Sequence, residues 1–511
     1  MPRVPGCLGS TPASIRSEAM TPGSASSSRA KAEPLDEYRG KRRVGRTPEP
    51  IPKPTRSGRA ARSKGEPKFV IQEHHASALH WDFRLEHDGV LVSWALPKGL
   101  PLDPHQNRLA VHTEDHPMDY AAFEGEIPAG EYGGGTVTVW DTGTYTLEKW
   151  MEKEVSVVLH GDRANGRYVL FPTNGKQWMI HRRDPVPDGW EPLPTEFRPM
   201  LATPGQLPKG RGWAYEFKWD GIRAGVSVEG GRVHIRSRND LDLTSAFPEL
   251  QGLGASLGMT TAFFDGEVVV TGPDGVPKFS LVQHRLHVDN HRIATRLAQE
   301  TPASLMLFDL LYLNGMSLVD LPYRDRREVL DSLGIGGDHW VVAPSFTGVG
   351  ADVMNTAIEN GLEGVVSKRA SSPYRAGRRS DEWVKTKFVR SQEVVIGGFT
   401  AGNGSRRGTF GALLLGIPAA DGLAYVGKVG TGFSDPERTQ LVERLRRAPR
   451  KTSPFSSPPP LPKGSGVTWT RPSVVGEVQF SEWTPDGYLR HPSWRGLRPD
   501  KSAKEIVRES E

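Results

Sequence analysis

Residues 213–221 read WAYEFKWDG. Aromatic and apolar strand formers run up to Phe217, and a lysine, an acid and a glycine follow, so a strand ends on a lysine at a turn. A lysine with an ordinary pKa near ~10.4 is protonated at neutral pH and a poor nucleophile. Desolvation or nearby cations push it toward the neutral amine. Alone, this pattern is a surface turn after a strand. Downstream, in order, come SRN (237–239), FDGE (264–267), FDLL (308–311), EGVVSK (363–368) and WVKTK (383–387). Short apolar strands alternate here with helical stretches at 325–332 and 351–360, which predicts an α+β domain over 197–392.

Each of these segments suits one chemical task. Lys218 is the candidate nucleophile, attacking the α-phosphorus of ATP to form a P–N bond to AMP and expel pyrophosphate. Glu267 and Glu363 are hard oxygen ligands suited to magnesium. Phe308 offers a flat face to adenine, although a lone phenylalanine is more often core. WVKTK alternates, so Lys385 and Lys387 share a face, and with Lys368 they can neutralise the α-phosphate. Arg223 and Arg238 suit the ribose and terminal-phosphate region, or the 5′-phosphate of a nick. Any one of these residues is ordinarily a solvated charge; it is their order that carries the reading.

Strand texture returns after residue 392 in VVIGGFTAG, GALLLGI and LAYVGKVG, which predicts a small, five-stranded β barrel over 393–511. Within it, 434–448 reads as an amphipathic helix capped by Ser434, and the proline-rich 454–466 as a surface loop. The glycines of AGNGSRRGTFGALLLG lie between strands, whereas a phosphate loop opens a helix, so they read as barrel glycines.

Upstream, residues 67–184 alternate apolar and polar residues with hairpin punctuation, which predicts an all-β barrel or sandwich. The proline-rich 185–196 reads as a linker. In HWDFR (80–84), alternation puts His80, Asp82 and Arg84 on one face and Trp81, Phe83 and Leu85 on the other. His80, Asp82 and His74 are donors suited to manganese or zinc, and Arg84 brings a planar fork to a phosphate beside them. RLAVHTEDHPMDY adds Arg108, His116 and Tyr120. A lone HxD would be a solvated strand face.

The 511 residues suggest about three domains. Residues 1–66 hold 14 Lys/Arg against 6 Asp/Glu, a net of +8, so the +5 of the whole chain leaves −3 for the rest. This stretch shows no period and reads as a disordered basic leader, either a polyanion-binding tail or an inert solubilising one. Met20 is an alternative start. The single cysteine, Cys7, excludes an intrachain disulfide framework. No apolar run of membrane-spanning length occurs, and a cytoplasmic protein is the simplest expectation.

Residues 35–184 resemble the phosphoesterase domain of bacterial non-homologous end-joining DNA ligases, the likeness starting at LDEYRGKRRVGRTPEP (35–50). The resemblance implies manganese on His74, His80 and Asp82, with Arg84, Arg108, His116 and Tyr120 engaging or activating a scissile phosphate. It also implies trimming of a 3′-terminal ribonucleotide or 3′-phosphate to leave a 3′-OH. Arg43-Val44 stand where that family often has Asp-Phe. Residues 197–511 resemble the covalent nucleotidyltransferases and, among them, the ATP-dependent DNA ligases of DNA-ligase fold, unrelated to ATP-grasp enzymes. RPDK (498–501) matches their last motif on an OB-fold barrel, where Arg498, Asp500 and Lys501 would close over ATP. Glu216, Arg223, Arg238, Glu267, Phe308, Lys368, Lys385 and Lys387 complete the implied ATP site, and magnesium or manganese serves it. Asp240 replaces the usual glycine after SRN.

Together the resemblances imply a monomer that prepares 3′ ends and seals double-stranded DNA ends and nicks, with a Ku homodimer as partner. No polymerase/primase domain is expected within this length, so gap filling would fall to a separate chain. Two alternatives are an RNA ligase or capping guanylyltransferase, and a DNA-end tether with decayed sites. The upstream phosphoesterase and RPDK disfavour the first, and the complete motif set disfavours the second.

Overall fold

The computed structural model describes residues 35–53, 65–286, 288–388, 390–461 and 465–509. The first unit comprises β1 (Lys68–His75), β2 (Leu79–His87), β3 (Val90–Leu96), β4 (Arg108–His112), β5 (Gly125–Ile127), β6 (Gly135–Met151), β7 (Glu154–Gly161), β8 (Asn165–Asn174) and β9 (Gln177–Arg182). Their order is β1-β2-β3-β4-β9-β8-β7-β6-β5, and β1 also pairs with β6. Eight antiparallel strands therefore close a barrel, which leaves no open edge, and β5 hangs outside it. Trp81, Phe83 and Leu85 point inward with Phe69, Ile71 and Trp94 and are fully buried. His80, Asp82 and Arg84 face outward, as the alternation requires.

That outer face is covered. A short helix, α1 (Asp36–Gly40), with the loop that follows it, and the 114–127 segment lie over it. Tyr38, 0% exposed, packs with Leu91, Tyr120, Phe123, Ile127 and Val137. This corrects the disordered-leader expectation for residues 35–53. They lack a hydrophobic period because one aromatic anchor and a set of ion pairs hold them, not a continuous apolar face. Residues 1–34 and 54–64 of the expected leader, Cys7 and Met20 among them, lie outside the described residues.

The second unit carries two sheets. One contains β10 (Leu201–Pro204), β11 (Trp213–Phe217), β18 (Ser345–Thr347), β19 (Gly364–Arg369) and β20 (Arg379–Lys387), ordered β10-β20-β19-β11-β18. The other contains β12 (Ile222–Glu229), β13 (Arg232–Ser237), β14 (Ala262–Val270), β15 (Ala303–Leu313), β16 (Met316–Ser317) and β17 (Trp340–Val342), ordered β13-β12-β14-β15-β16 with β17 on β15. An apolar layer including Met200, Phe263, Phe308 and Trp383 joins the sheets. Helices Tyr323–Ser332 and Gly350–Glu359 occupy the stretches expected to be helical.

The third unit is OB-like: β21 (Ser391–Ala401), β22 (Phe410–Ala419), β23 (Gly422–Val429), β24 (Pro449–Arg450), β25 (Val467–Thr470), β26 (Val475–Gln479) and β27 (Ser493–Leu497). Seven strands replace the expected five because β21 pairs with β26 along its first half and with β25 along its second, and two short strands extend the edges. The helix Asp435–Arg446 begins at Ser434, whose side chain accepts from the Glu437 N–H. The glycines of 402–411 lie in and beside the β21–β22 connection.

The barrel is docked on the second unit. Arg108 and Lys98 both reach Glu229, at 2.8 and 3.4 Å, and the Leu100 N–H donates to Met259 Sδ at 3.3 Å. Among the described residues no helix is long and apolar enough to cross a membrane.

Candidate active sites

The first site is built on two adjacent strands. The β1–β2 register pairs His74 with His80, Gln72 with Asp82 and Val70 with Arg84. One ligand atom from each of His74, His80 and Asp82 lies within 4.8 Å of the others. His74 Nε2 is 2.9 Å from the Gly133 carbonyl and His80 Nδ1 is 3.0 Å from the Ala78 carbonyl. Those nitrogens donate, which leaves the lone pairs of His74 Nδ1 and His80 Nε2 turned to Asp82, at 3.5 and 3.8 Å. Burial alone would raise the Asp82 pKa, but the Arg84 guanidinium beside it holds the carboxyl well below its usual range. Two imidazole lone pairs and an ionised carboxylate fit a divalent transition metal.

Arg84 stands beside this group. Its guanidinium donates to Asp82 Oδ2 at 2.9 Å, Gln72 Oε1 at 2.7 Å and Ser93 Oγ at 3.0 Å, and lies 4.7 Å over the Tyr120 ring. His116 Nδ1 is 2.8 Å from the Glu114 carbonyl, and its Nε2 faces the Arg42 guanidinium at 3.3 Å. Burial, with Arg84 and Arg42 nearby, pushes the His116 pKa well down, so the ring is neutral. The Tyr120 hydroxyl donates to Glu49 Oε1 at 3.1 Å.

Arg108 is the exception. It shares its parity with Ala110 and its partner Ile180, both on the barrel's inner side. Its guanidinium donates to the Lys98 and Leu100 carbonyls and to Glu229. The barrel wall separates it from Arg84, so the expected grouping of Arg108 with His116 and Tyr120 is not what the fold builds.

Sequence reasoning missed Arg42, Glu49 and Glu114. Arg42 pairs with Glu49 at 2.7 Å and Glu114 at 3.0 Å, and all three side chains are buried. Their only sequence signal was that the family likeness begins at residue 35, before any regular texture.

The second site lies between the two sheets of the second unit and is roofed by the third. Lys218 directly follows β11, its N–H held by the Gly364 carbonyl at 2.9 Å. Lining the same pocket are Glu216, Arg223, Arg238, Glu267, Phe308, Lys368, Lys385, Lys387, Arg498, Asp500 and Lys501, every ATP-site residue the sequence suggested. Glu363 binds the Lys218 ammonium through one oxygen and Lys387, at 2.9 Å, through the other. Burial alone would raise Glu363, but these two lysines hold it well below the usual carboxylate range. Lys368 reaches Glu216 at 2.8 Å and the Phe308 carbonyl at 3.1 Å, and lies over the Phe308 and Trp383 rings. Arg223 is clamped through two bonds by Asp265, at 2.5 and 2.6 Å, and stacks 4.6 Å over Phe308.

Among the described residues Glu267 makes no hydrogen bond or salt bridge. Burial pushes its pKa up to about 7, against the pull of Arg223 and Lys218. A half-buried carboxylate whose side chain has no direct partner, facing a pocket, fits a divalent cation. Burial also pushes Lys385 down to about 8, against the pull of Glu509.

Asp240 has φ of +61°, the left-handed region that favours glycine, so its departure from the family pattern leaves the turn, and Arg238 after β13, in position. At the edge of the pocket lies a pair of acids the sequence did not flag. Glu393 and Glu477 face each other across β21 and β26. Like charges directly opposite are unfavourable; here Arg498 and Lys501 reach into the pair.

Three family models match the chain: the DNA Ligase D 3′-phosphoesterase domain over residues 72–172, the ATP dependent DNA ligase domain over 199–387 and the ATP dependent DNA ligase C terminal region over 406–501. The chain is 44% identical over 489 residues to the "Multifunctional non-homologous end joining protein LigD" of Mycolicibacterium smegmatis, covering 93% of this chain and 61% of that protein. It is 45% identical over 484 residues to the "Multifunctional non-homologous end joining DNA repair protein LigD" of Mycobacterium tuberculosis, covering 94% and 61%. A solved structure described as "mycobacterial DNA ligase D complexed with ATP and MES" is 41% identical, covers 61% of this chain and 98% of its own, and superposes with a TM-score of 0.46. The chain thus spans about three fifths of the length of these curated relatives.

Proposed function

We propose that the chain is a ligase D-type, ATP-dependent end-joining DNA ligase with a 3′-phosphoesterase domain, the kind of protein its three domain matches and its mycobacterial relatives point to, and that it repairs double-strand breaks with two separate sites. Residues 67–184 form the phosphoesterase domain, with 35–53 as part of its site; 185–196 are the linker, 197–392 the adenylation domain and 393–511 the OB-fold domain. The observation that carries the reading is the convergence of Lys218 and all the suggested ATP-site residues in one pocket, on a chain that also carries a metal-ligand cluster.

In the adenylation domain Lys218 is the nucleophile. Its amine is held by Glu363, so that contact must open for it to attack the α-phosphorus of ATP. Lys368, Lys385 and Lys387 carry the charge gathering on that phosphate, and Phe308 and Arg223 form a face for the adenine. Arg498, Asp500 and Lys501 close from the OB side over the leaving pyrophosphate. Glu267 and Glu363 would hold magnesium or manganese, which when bound offsets phosphate charge. The AMP then passes to a 5′-phosphate, and a 3′-OH displaces it.

In the barrel, His74, His80 and Asp82 would hold manganese, which when bound polarises a phosphate oxygen. Arg84 grips the phosphate through its fork. Neutral His116 and the Tyr120 hydroxyl lie within reach to hold or move a proton. The product is the 3′-OH that the other site consumes. The substrate is DNA ends and nicks, and a Ku homodimer holding ends is the proposed partner. A monomer in the bacterial cytoplasm suits that task.

The test is a nicked duplex with a 3′-terminal ribonucleotide, and one with a clean 3′-OH. Asp82→Ala removes trimming and leaves sealing of the clean nick; Lys218→Ala does the reverse, each loss on the order of 10³-fold. Either substitution removing both activities refutes the two-site reading.

A further inference from the structure

After RPDK the chain does not leave the pocket. Ala503–Glu505 make one 3-10 turn and Ile506 is buried in the OB-like core. Gln392 then grips the backbone on both sides, its Nε2 donating to the Val507 carbonyl at 2.9 Å and its Oε1 accepting from the Glu509 N–H at 2.8 Å. The Arg508 guanidinium packs 4.2 Å over the Trp483 ring. Between these anchors two carboxylates turn inward: Glu505 pairs with Arg238, and Glu509 pairs with Lys385 at 2.6 Å. Glu505 and Val507 line the ATP pocket itself. No motif marks either acid.

Arg238 and Lys385 are two of the cations assigned above to the phosphates and ribose of ATP. A carboxylate and a phosphate are oxyanions that use the same N–H donors in the same way. Neither cation is free to take a phosphate while its carboxylate is in place, and a buried cation left bare is costly. We propose that Glu505 and Glu509 are positioning residues for adenylylation: in the nucleotide-free enzyme they stand where phosphate oxygens bind, and the phosphates of ATP displace them. The segment 503–509 thereby keeps Arg238 and Lys385 in register when the pocket is empty and sets how much ATP is needed to fill it. When pyrophosphate leaves, the same carboxylates retake the cations and disfavour its return to the Lys218–AMP bond. This rests on the reading of the pocket as an ATP site.

Isosteric amides test it, because Glu505→Gln and Glu509→Gln keep the shape of the segment and its Gln392 clamp. In the full chain with magnesium, single-turnover formation of the Lys218–AMP adduct is followed against ATP concentration. The double substitution is expected to lower the half-saturating ATP about fivefold, the scale of one partly exposed ion pair, with the maximal rate unchanged. Discharge of the adduct by added pyrophosphate should need correspondingly less pyrophosphate. A merely structural role would lower the rate without shifting half-saturation. Unchanged or raised half-saturation in the double variant overturns the proposal while adduct formation upholds the ATP site. Calorimetric titration with inorganic tripolyphosphate separates the two readings further. Tighter binding in the variants supports the displaced carboxylates whether or not an adduct forms, and equal binding in both proteins refutes them.

Discussion

In the barrel, His74, His80 and Asp82 are brought together by one pair of adjacent strands, and backbone carbonyls fix both imidazoles before any ligand arrives. In the pocket, Lys218 follows β11, Glu267 comes from β14, Lys385 from β20 and Arg498 from the OB-like unit. There, carboxylates more than backbone carbonyls satisfy the cations. The first arrangement already holds one geometry through its polar groups. The second is a set of ion pairs to which the OB-like unit contributes Arg498, Asp500 and Lys501, and under the proposed function a phosphate-bearing ligand would exchange them one by one. A site on one sheet is preorganised by strand register; a site between units is preorganised by compensating charge.

Four experiments break or sharpen that contrast. The largest effect is expected from Glu363→Ala and Glu267→Ala, each lowering Lys218–AMP formation on the order of 10²–10³-fold, the scale of one fixed electrostatic group at a reacting phosphate, while trimming is untouched. Quenched-flow adduct formation and a 3′-ribonucleotide assay read the two arms. Equal losses in both would merge the sites.

Next, Arg42→Ala should lower trimming about a hundredfold by freeing the His116 ring. It should also destabilise the barrel by about 3 kcal/mol, because Glu49 stays buried without its cation while Lys41 remains on Glu114. Thermal melting of the full chain checks the second effect. Unchanged melting would mean the cover is peripheral.

Third, Arg108→Ala and Glu229→Ala should have similar, modest effects, since both break the joint between barrel and adenylation unit. If Arg108 gripped phosphate, its substitution alone would abolish trimming, and the comparison of the two variants by trimming rate decides.

Smallest at neutral pH is the acid response of Glu477. Burial alone would raise its pKa, but Lys387 and Arg498 hold it down to about 2 in the folded chain. A depressed carboxyl gives stability that is complete above its unfolded value and lost as pH falls through the folded one. The melting temperature should therefore drop between pH 4.5 and about 2, and Glu477→Gln should flatten that drop.

What could be read from the sequence follows the same division. Strict alternation in HWDFR sorted Trp81, Phe83 and Leu85 from His80, Asp82 and Arg84 because a strand has only two faces. Ser434 marked the start of its helix by local chemistry. The residues that line the pocket were picked out by the order of short segments, which survives although the strands carrying them are far apart in sequence. Arg42 was missed because a covering loop has no period, and its basic, proline-rich surroundings resemble those of unfolded chain. Arg108 lies apart from Arg84, His116 and Tyr120, which the sequence could not show because β4 is only five residues long and parity within so short a strand does not say which face meets the site. Glu505 and Glu509 were invisible because partner exchange between a carboxylate and a phosphate leaves no spacing rule.

The account rests on a covalent bond between one amine and AMP. Peptide mass spectrometry of the full chain, after incubation with ATP and magnesium, measures it directly. An AMP adduct on the Lys218 side chain, discharged by pyrophosphate or by a nicked duplex, is the predicted result. An adduct on another lysine, or none in protein shown to be folded, contradicts it.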